Sequence, residues 1–279
     1  MNSENIIDDE YIIKDLEEKA KKIRRHIIDM IYEAGSGHPG GSLSCVDIIT
    51  VLYFHIMRHN PLEHKWKDRD RFVLSKGHAA PALYAVLAET GYFPVEELKT
   101  LRKFGSRLQG HPEAKLLPGI EFSTGSLGQG LSIGAGIALN TKLEKKDLRI
   151  YVLLGDGEIE EGQVWEAALF ASHNKLGNLT AIIDRNKYQI DGKTEEILSL
   201  EPLGDKWRTF GWNVLTTNGH NIRDLVVTFE KIKACLDTRP TVIIANTIKG
   251  RGISFMEGNN NWHGRAPSKE EYELAIKEL

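Results

Sequence analysis

Two polar residues follow apolar runs at a spacing that suits a bound metal ion and phosphate. Asp156 stands in the segment GDGE, directly after the apolar run 150–154, and Asn186 follows the next run, 179–183, 30 positions after Asp156. Small residues beside Asp156 let backbone N–H groups approach a phosphate, and a helix that starts there favours negative charge. A carboxylate at this point can hold Mg²⁺, which bridges to diphosphate oxygens. If the two runs are adjacent parallel strands, the oxygens of Asp156 and Asn186 lie together, with the carbonyl of Tyr188 as a further ligand.

A glycine-flanked aspartate alone has a simpler explanation, because such a residue is most often just part of a turn. The paired Asn186 at the end of the next strand favours the site over the turn. A dinucleotide site is disfavoured, since no GxGxxG segment follows a first strand. GDG followed about thirty residues later by asparagine instead resembles the fingerprint of thiamine-diphosphate enzymes. The expected cofactors are therefore thiamine diphosphate and Mg²⁺, for which Ca²⁺ or Mn²⁺ can substitute.

Four of the ten histidines, His38, His78, His111 and His263, stand next to glycine in predicted loops. An imidazole there can exchange protons with an alcohol or neutralise phosphate charge, because its pKa lies near neutrality. Glycine adjacency alone does not suffice, since the segment NGH at 218–220 has it too. The other histidines are interpreted as solvated or hydrogen-bonded structural residues: His26, His55, His59, His64, His173 and His220.

Two lysines, Lys76 and Lys249, fall in glycine-bounded turns after predicted strands, where a diphosphate would lie. The commoner alternative for each is an ordinary surface lysine. Glu161 and Glu166 follow GDG on the predicted helix, and Glu160 beside them is predicted to be exposed.

The scaffold for these residues is predicted from apolar runs that alternate with helical segments. Apolar residues recur at helical spacing over 14–33, and further helices are predicted after Ser44, as an N-cap, and over 82–91. Arg71 to Ser75 is predicted to be a short buried strand, followed by strands over 150–154, 179–183, 212–215 and 241–245. Runs that are apolar on both faces indicate a doubly wound, mostly parallel α/β sheet with helices on both faces. Ligands of such sheets bind beyond the carboxyl ends of the strands, where the glycine-rich turns of this sequence accumulate.

Composition excludes several classes of protein. The chain has 279 residues, 41% hydrophobic, with a net charge of −3, so nothing suggests binding to nucleic acid or to an anionic membrane. The acidic start carries no signal-peptide run and no stretch approaches a membrane span, so a cytoplasmic protein is expected. Cys45 and Cys235 are expected to be free, buried thiols. Without a linker or repeat, residues 1–279 are predicted to form a single domain.

Longer segments extend the resemblance to one family, the transketolases. They match the N-terminal, diphosphate-binding domain of that family in order, over roughly residues 15–267: SGHPGG (36–41), DRFVLSKGHAAPALYA (70–85), GSRLQGHPE (105–113), STGSLGQGLSIGAGIAL (123–139), IKGRG (248–252) and NWHG (261–264). The resemblance implies the thiamine-diphosphate-binding fold and transfer of a two-carbon ketol unit from a ketose or ketose phosphate to an aldose or aldose phosphate, as in the pentose phosphate pathway. The sequence does not identify the sugar, so a sulfonated or branched ketose stays open.

The resemblance also implies roles for individual residues. His38, His111 and His263 would line the channel and bind the sugar hydroxyls, with Glu161 as a catalytic residue that faces the subunit interface. Metal ligands would be Asp156, Asn186 and the Tyr188 carbonyl. Contacts to the cofactor or its surroundings would come from Lys76, His78, Gly125, Leu127, Asp156, Gly157, Glu161, Asn186, Lys249 and His263.

The family's pyrimidine-binding domain is not recognisable in this chain, whose remainder after Trp262 is long enough only for a loop and one helix of about ten residues. A partner subunit with the pyrimidine-binding and C-terminal domains is therefore expected, in an α₂β₂ assembly. The glycines of 123–139 suggest close helix packing at a dimer seam. Two alternatives stay open: a subunit of another thiamine-diphosphate enzyme, such as a 2-oxoacid dehydrogenase or deoxyxylulose-phosphate synthase, and a catalytically silent binding homologue.

Overall fold

Five apolar runs form the strands of one sheet. The computed structural model describes residues 10–279, so most of the acidic start, on which the absence of a signal peptide was predicted, lies outside the described residues. The strands are β1 Arg71–Leu74, β2 Ile150–Gly155, β3 Leu179–Arg185, β4 Asn213–Asn218 and β5 Thr241–Asn246. They lie in the order β1-β2-β3-β5-β4, and each neighbouring pair is parallel.

Both faces of the sheet are covered. Alternate residues of the strands enter two separate apolar clusters: Tyr151 and Leu153 of β2 face one, whereas Val152 and Leu154 face the other. Side chains on a strand point alternately to opposite faces, so an apolar run buries both only when helices lie on each side. The predicted doubly wound α/β fold is confirmed. Of the five strands, the edge strand β4 is the most exposed.

The helices follow the predicted pattern with shifted boundaries. The predicted helix over 14–33 spans Glu10–Ala34, and its buried stripe includes Ile13 and Leu16 at the N-terminal end. The α-helices of the described residues are α1 Glu10–Ala34, α2 Pro39–Ser44, α3 Val46–Val51, α4 Ala80–Glu89, α5 Gln129–Leu143, α6 Gly162–His173, α7 Thr194–Ile197, α8 Leu203–Thr209, α9 Ile222–Ala234 and α10 Lys269–Glu278. The single helix predicted after Trp262 is α10.

The prediction that Ser44 caps a helix is wrong. Ser44 is the last residue of α2, and α3 begins after Cys45. Pro39 starts α2 five residues before Ser44, since its ring suits the first helical position. The Ser44 hydroxyl instead donates to Gly41 O and to the buried Asp184 carboxylate, so it ties α2 to the end of β3.

The register of the sheet gathers the strand ends that carry the candidate residues. Gly155 at the end of β2 pairs with Asp184 of β3, so Asp156 lies level with Arg185, next to Asn186. The helix predicted to open at GDG begins later: a 3₁₀ turn, Gly157–Glu160, comes first, and α6 follows from Gly162.

Two further findings concern the thiols and the helices. Cys45 is buried, but Cys235 is exposed, so the expectation of two buried thiols is wrong for Cys235. It lies just beyond the end of α9, outside the buried stripe of that helix.

No helix within residues 10–279 is long and apolar enough to cross a membrane.

Candidate active site

A cavity of about 340 Å³ opens at the carboxyl ends of β1, β2, β3 and β5. Its volume falls within the range of small-molecule sites, about 300–1,000 Å³. Every residue predicted for the site lines it: His38, Lys76, His78, His111, Gly125, Leu127, Asp156, Gly157, Glu161, Asn186, Tyr188, Lys249 and His263. Six further residues were not predicted: Gly41, Gly155, Glu158, Glu160, Gln189 and Ile190.

Oxygen ligands meet in the cavity where β2 and β3 end. The Asp156 carboxylate is buried, and its Oδ2 accepts hydrogen bonds from the Arg185 guanidinium, at 3.1 Å, and from the Lys187 N–H. Its Oδ1 accepts the Gly157 N–H at 2.9 Å. Oδ1 of Asn186 accepts the Tyr188 N–H at 3.1 Å. Burial, reinforced by the charge of Asp184, raises the pKa of Asp156 to about 6 even though Arg185 and the Lys187 amide act in the opposite direction.

This donor set fits a divalent cation. A carboxylate oxygen has two lone pairs, and among the described residues Oδ1 of Asp156 accepts one hydrogen bond, so one of its lone pairs remains for a metal. The Asn186 amide oxygen likewise accepts one bond. Carboxylate, amide and carbonyl oxygens are the ligands that Mg²⁺ and Ca²⁺ prefer. No group of three or more His, Cys, Asp or Glu side chains in residues 10–279 is placed to hold a metal, so a cation would depend on mixed oxygen ligands here.

The two lysines of the cavity differ in their charge partners. Lys76 is buried, and its Nζ donates to the Asp184 carboxylate and, at 2.8 Å, to Gly41 O. Lys249 is equally buried but forms no salt bridge within residues 10–279; its Nζ lies 2.7 Å from Asn260 Oδ1 and 3.0 Å from His263 Nδ1. Burial and the charge of Lys76 lower the Lys249 pKa to about 8. Lys249 therefore carries a positive charge that an anionic ligand can neutralise.

Four histidine rings cluster in the same cavity, one of them in contact with Lys249. The ring centroid of His38 lies 5.4 Å from that of His78, 6.5 Å from that of His111 and 5.6 Å from that of His263. Burial lowers the pKa of His38 and of His263 to about 4, and neighbouring cationic groups act in the same direction. The pKa of His78 and that of His111 are lowered as well, again chiefly by burial. All four rings are thus neutral near pH 7.

A neutral imidazole has one donor and one acceptor nitrogen, which matches a ligand rich in hydroxyl groups. Nδ1 of His38 is buried and has no hydrogen-bond partner in the described part of the chain. Buried polar atoms are normally satisfied, so this nitrogen is poised for a ligand atom. His263 Nδ1 accepts from Lys249, which places its proton on Nε2.

Two glycines leave room that a side chain would fill. Gly125 has φ +149°, and an added Cβ would lie 3.1 Å from the His111 ring. At Gly157 an added Cβ would lie 2.6 Å from Cβ of Gln189, closer than real contacts allow. Only glycine therefore lets the loop after β2 and the loop after β3 approach each other beside Asp156.

The acidic residues after GDG differ in exposure. Glu161 is exposed and lines the cavity, whereas Glu166 on α6 is exposed outside the cavity lining. The prediction that Glu160 is exposed is wrong: it is half-buried, its Oε2 accepts a bond from Gln189, and its Oε1 is buried without a partner among the described residues. The loop after β3 folds over Glu160 and covers it.

Glu158 is the most buried residue that sequence reasoning missed. Its carboxylate accepts hydrogen bonds from the Ser75 hydroxyl, from Gly128 N at 3.0 Å and from Gly155 N at 3.0 Å. It thereby joins the ends of β1 and β2 to the start of α5. From the sequence alone, an acidic residue two positions after Asp156 would be interpreted as solvated. Only its hydrogen bonds to the backbone amides of Gly128 and Gly155 reveal its structural role. Gly41 also lines the cavity without having been predicted, although it lies within the matched segment SGHPGG, which could have indicated it.

The six histidines interpreted as structural lie outside the cavity lining. His26 meets Glu89 at 2.7 Å, and His59 bonds to the Tyr53 carbonyl. His220 pairs with the Asp47 carboxylate at 2.9 Å.

Comparison with known proteins agrees with this geometry. The family described as "Transketolase, thiamine diphosphate binding domain" matches residues 16–279. An apulose-4-phosphate transketolase subunit of Phocaeicola vulgatus is 47% identical over 96% of this chain and 94% of its own length. A 6-deoxy-6-sulfo-D-fructose transketolase subunit of a Clostridium species is 46% identical over 95% of this chain and 96% of its own.

Longer transketolases match over part of their length. The human enzyme is 42% identical over 97% of this chain but 43% of its own length. The crystal structure of transketolase from Campylobacter jejuni superposes with a TM-score of 0.89 at 35% identity, covering 95% of this chain and 42% of that one. The chain thus spans less than half of these longer proteins and nearly the whole of the separate subunits.

Proposed function

Because this chain belongs to the transketolase family, through its thiamine-diphosphate-binding domain, we propose that it is one subunit of a two-subunit transketolase. The reaction is transfer of a two-carbon ketol unit from a ketose to an aldose. The observation that carries the proposal is the set of groups that line one cavity: oxygen ligands for a cation, a lysine with no salt bridge within residues 10–279, and four neutral histidines, one of which contacts that lysine.

The oxygen ligands and Lys249 would hold the diphosphate and its cation. Asp156, Asn186 and the Tyr188 carbonyl would bind Mg²⁺, and Lys249 would offset part of the remaining negative charge. Gly157 leaves the space that the diphosphate needs, with His78, Gly125 and Leu127 lining the cofactor's path. When bound, thiamine diphosphate supplies the nucleophilic carbon that takes up the two-carbon fragment and passes it on.

Lys76 has a different role from Lys249. Its charge is already balanced by Asp184, so it adds little net attraction for a diphosphate. We assign it to the floor of the site, where it fixes Gly41 and the end of β3 beneath the cofactor.

Three of the four histidines bind the sugar. His38, whose Nδ1 has no protein partner among the described residues, and His263 hold or deprotonate the C3 hydroxyl of the donor. His111, exposed at the mouth, holds the C1 hydroxyl. His38 and His263, with pKa values of about 4, are neutral near pH 7. The unpartnered Nδ1 of His38 can accept the hydroxyl hydrogen, whereas Nε2–H of His263, whose Nδ1 accepts from Lys249, donates to the hydroxyl oxygen.

A partner subunit completes the site. The relatives that match over their whole length are named as subunits, whereas the single-chain relatives are more than twice as long. We propose a partner with the pyrimidine-binding and C-terminal domains, in an α₂β₂ assembly. Glu161 at the rim faces this partner. Large apolar side chains exposed on α5 and α6, Leu143, Leu169 and Phe170, suit the seam between subunits.

The substrates of two relatives suggest the class of sugar. Their names give apulose 4-phosphate and 6-deoxy-6-sulfo-D-fructose, which share an anionic phospho or sulfo group. We propose a donor with such a group, recognised largely by the partner subunit. Phosphorylated and sulfonated donors are then the first to assay.

The test begins with the purified chain and calorimetry of thiamine diphosphate with and without Mg²⁺, repeated once the partner subunit has been mixed in. The expected result is Mg²⁺-dependent binding in the mixture, with ketol transfer only when both subunits are present. Steady turnover by the lone chain would contradict the two-subunit proposal. Decarboxylation of 2-oxoacids by the mixture would identify another thiamine-diphosphate enzyme, and cofactor binding without turnover of any ketose would identify a silent homologue.

A further inference from the structure

A buried polar pair lies behind the cavity. The side chains of Asp47, on α3, and His220, in the loop after β4, are 6% and 7% exposed. Oδ2 of Asp47 lies 2.9 Å from Nδ1 of His220, and Arg24 of α1 donates two hydrogen bonds to the same carboxylate. None of the three residues lines the cavity.

The contacts of Asp47 set the tautomer of His220. Burial raises the pKa of Asp47, but Arg24 and His220 outweigh it and the net pKa is lowered, so the carboxylate is ionised and only accepts hydrogen bonds. Nδ1 of His220 must therefore carry the proton. Nε2 is left as an acceptor, and it receives the backbone N–H of Ile248 at 2.7 Å.

Ile248 immediately precedes Lys249. The hydroxyl of Thr247 donates to Asp184, the N–H of Gly250 donates to Gly40 O at 3.0 Å, and the Lys249 carbonyl accepts from Gly258 N at 2.9 Å. The His220 contact holds the Thr247–Ile248 peptide, one residue before Lys249, and Asp47 of α3 orients the histidine that makes it.

We infer that His220, oriented by Asp47, is a positioning residue that sets the place of the Lys249 ammonium in the cavity. A neutral imidazole held by a carboxylate and accepting a main-chain N–H defines the loop more sharply than a solvated side chain does, since the side chains of both Asp47 and His220 are buried. In binding sites generally, residues that do not touch the ligand often orient the residues that do, through hydrogen bonds. The effect on cofactor binding rests on the proposed function, but the placement of Lys249 does not.

Two neutral substitutions distinguish the contributions of the two nitrogens of the His220 ring. The His220→Asn side chain can keep a donor near Nδ1, for Asp47, but is too short to reach Ile248. The His220→Gln side chain places an acceptor near Nε2, within reach of the Ile248 N–H. His26→Asn is the matched control, because it removes another histidine–carboxylate contact, with Glu89, far from the loop.

The first measurement is the pKa of the Lys249 amine in the full chain without cofactor. NMR of the labelled Lys249 side chain monitors the titration. The value of about 8 should rise towards the ordinary value of about 10.4 in His220→Asn, because the amine leaves its desolvated position. His220→Gln and His26→Asn should leave it near the wild-type value. An unchanged Lys249 pKa in folded His220→Asn, or an equal rise in His220→Gln, would overturn the inference.

The second measurement needs no substitution. Nitrogen chemical shifts of His220 in the wild-type chain should show a protonated Nδ1 and a bare, hydrogen-bonded Nε2, and a protonated Nε2 would overturn the inference even if the variants do not fold. In the mixture with the partner subunit, His220→Asn should weaken binding of thiamine diphosphate with Mg²⁺ by about tenfold, as is typical of outer positioning partners. Failure of the wild-type mixture to bind the cofactor would refute the proposed function and leave the Lys249 titration as the test of positioning.

Discussion

Two glycines of α5 offer a matched test of how the helix packs against the sheet beside the site. An ideal Cβ at Gly134 would lie 2.4 Å from Cγ2 of Val152, a fully buried residue of β2, whereas one at Gly136 meets nothing within 4 Å. Replacing glycine by alanine inside a helix stabilises it by about 1 kcal/mol. The same change in a filled core costs about 1–3 kcal/mol through overpacking.

Both variants gain the same free energy from the higher helix propensity of alanine. The difference between their free energies of unfolding therefore measures the cost of overpacking at Gly134. Gly136→Ala should raise the free energy of unfolding by about 1 kcal/mol. Gly134→Ala should leave it unchanged or lower it by up to about 2 kcal/mol. The separation of about 1–3 kcal/mol corresponds to roughly 2–10 °C in Tm for a chain of this size.

The assay is urea unfolding followed by circular dichroism, with thermal melts alongside. Equal stabilisation by both substitutions would refute the close packing of α5 on β2. The same pair also probes the proposed seam, because Gly136 is exposed in this chain. If α5 meets another subunit there, Gly136→Ala should weaken assembly in sedimentation velocity while it stabilises the isolated chain.

Three more predictions concern the site. Asp156→Ala should abolish Mg²⁺-dependent binding of thiamine diphosphate in calorimetry, and Asn186→Ala should weaken it less because a neutral amide offsets less charge; a larger loss for Asn186→Ala would refute the metal assignment. In steady-state kinetics His38→Ala should lower kcat or raise the sugar KM with the cofactor Kd within about twofold of wild type, whereas Lys249→Met should weaken the cofactor roughly tenfold; the opposite pattern would refute the division of the cavity. The free energy of unfolding should fall as pH is lowered from about 6.5 to about 4, because the unfolded chain protonates His38 and His263 there while the folded chain, with both pKa values near 4, does not. Replacing both by asparagine should flatten the pH dependence of the urea midpoint, and an unchanged slope would contradict the lowered pKa values.

Local patterns were sufficient to predict the sheet. The runs that became β2, β3 and β5 are apolar on both faces and short, which leaves few alternatives to buried parallel strands. The spacing of Asp156 and Asn186 then follows from strand adjacency, a property of the fold class. That these two residues line one cavity was predictable for this reason.

The contacts between distant segments were not predictable in the same way. Glu158 lies near GDG in sequence, but its partners Ser75 and Gly128 come from other parts of the chain. Serine is a common N-cap residue, yet the Ser44 hydroxyl donates a hydrogen bond to Asp184, 140 positions away in the sequence. Hydrogen bonds of this kind depend on tertiary packing, which local sequence patterns do not encode.

The buried pair of Lys76 and Asp184 also bears on how the floor of this cavity can change during evolution. Loss of either charge alone would strand the other in the interior, a cost of about 3–5 kcal/mol that few chains survive, whereas exchange of both for apolar residues can be nearly neutral. A lineage that drifts one substitution at a time must cross that barrier. Descendants of this chain should therefore keep both residues or have lost both together.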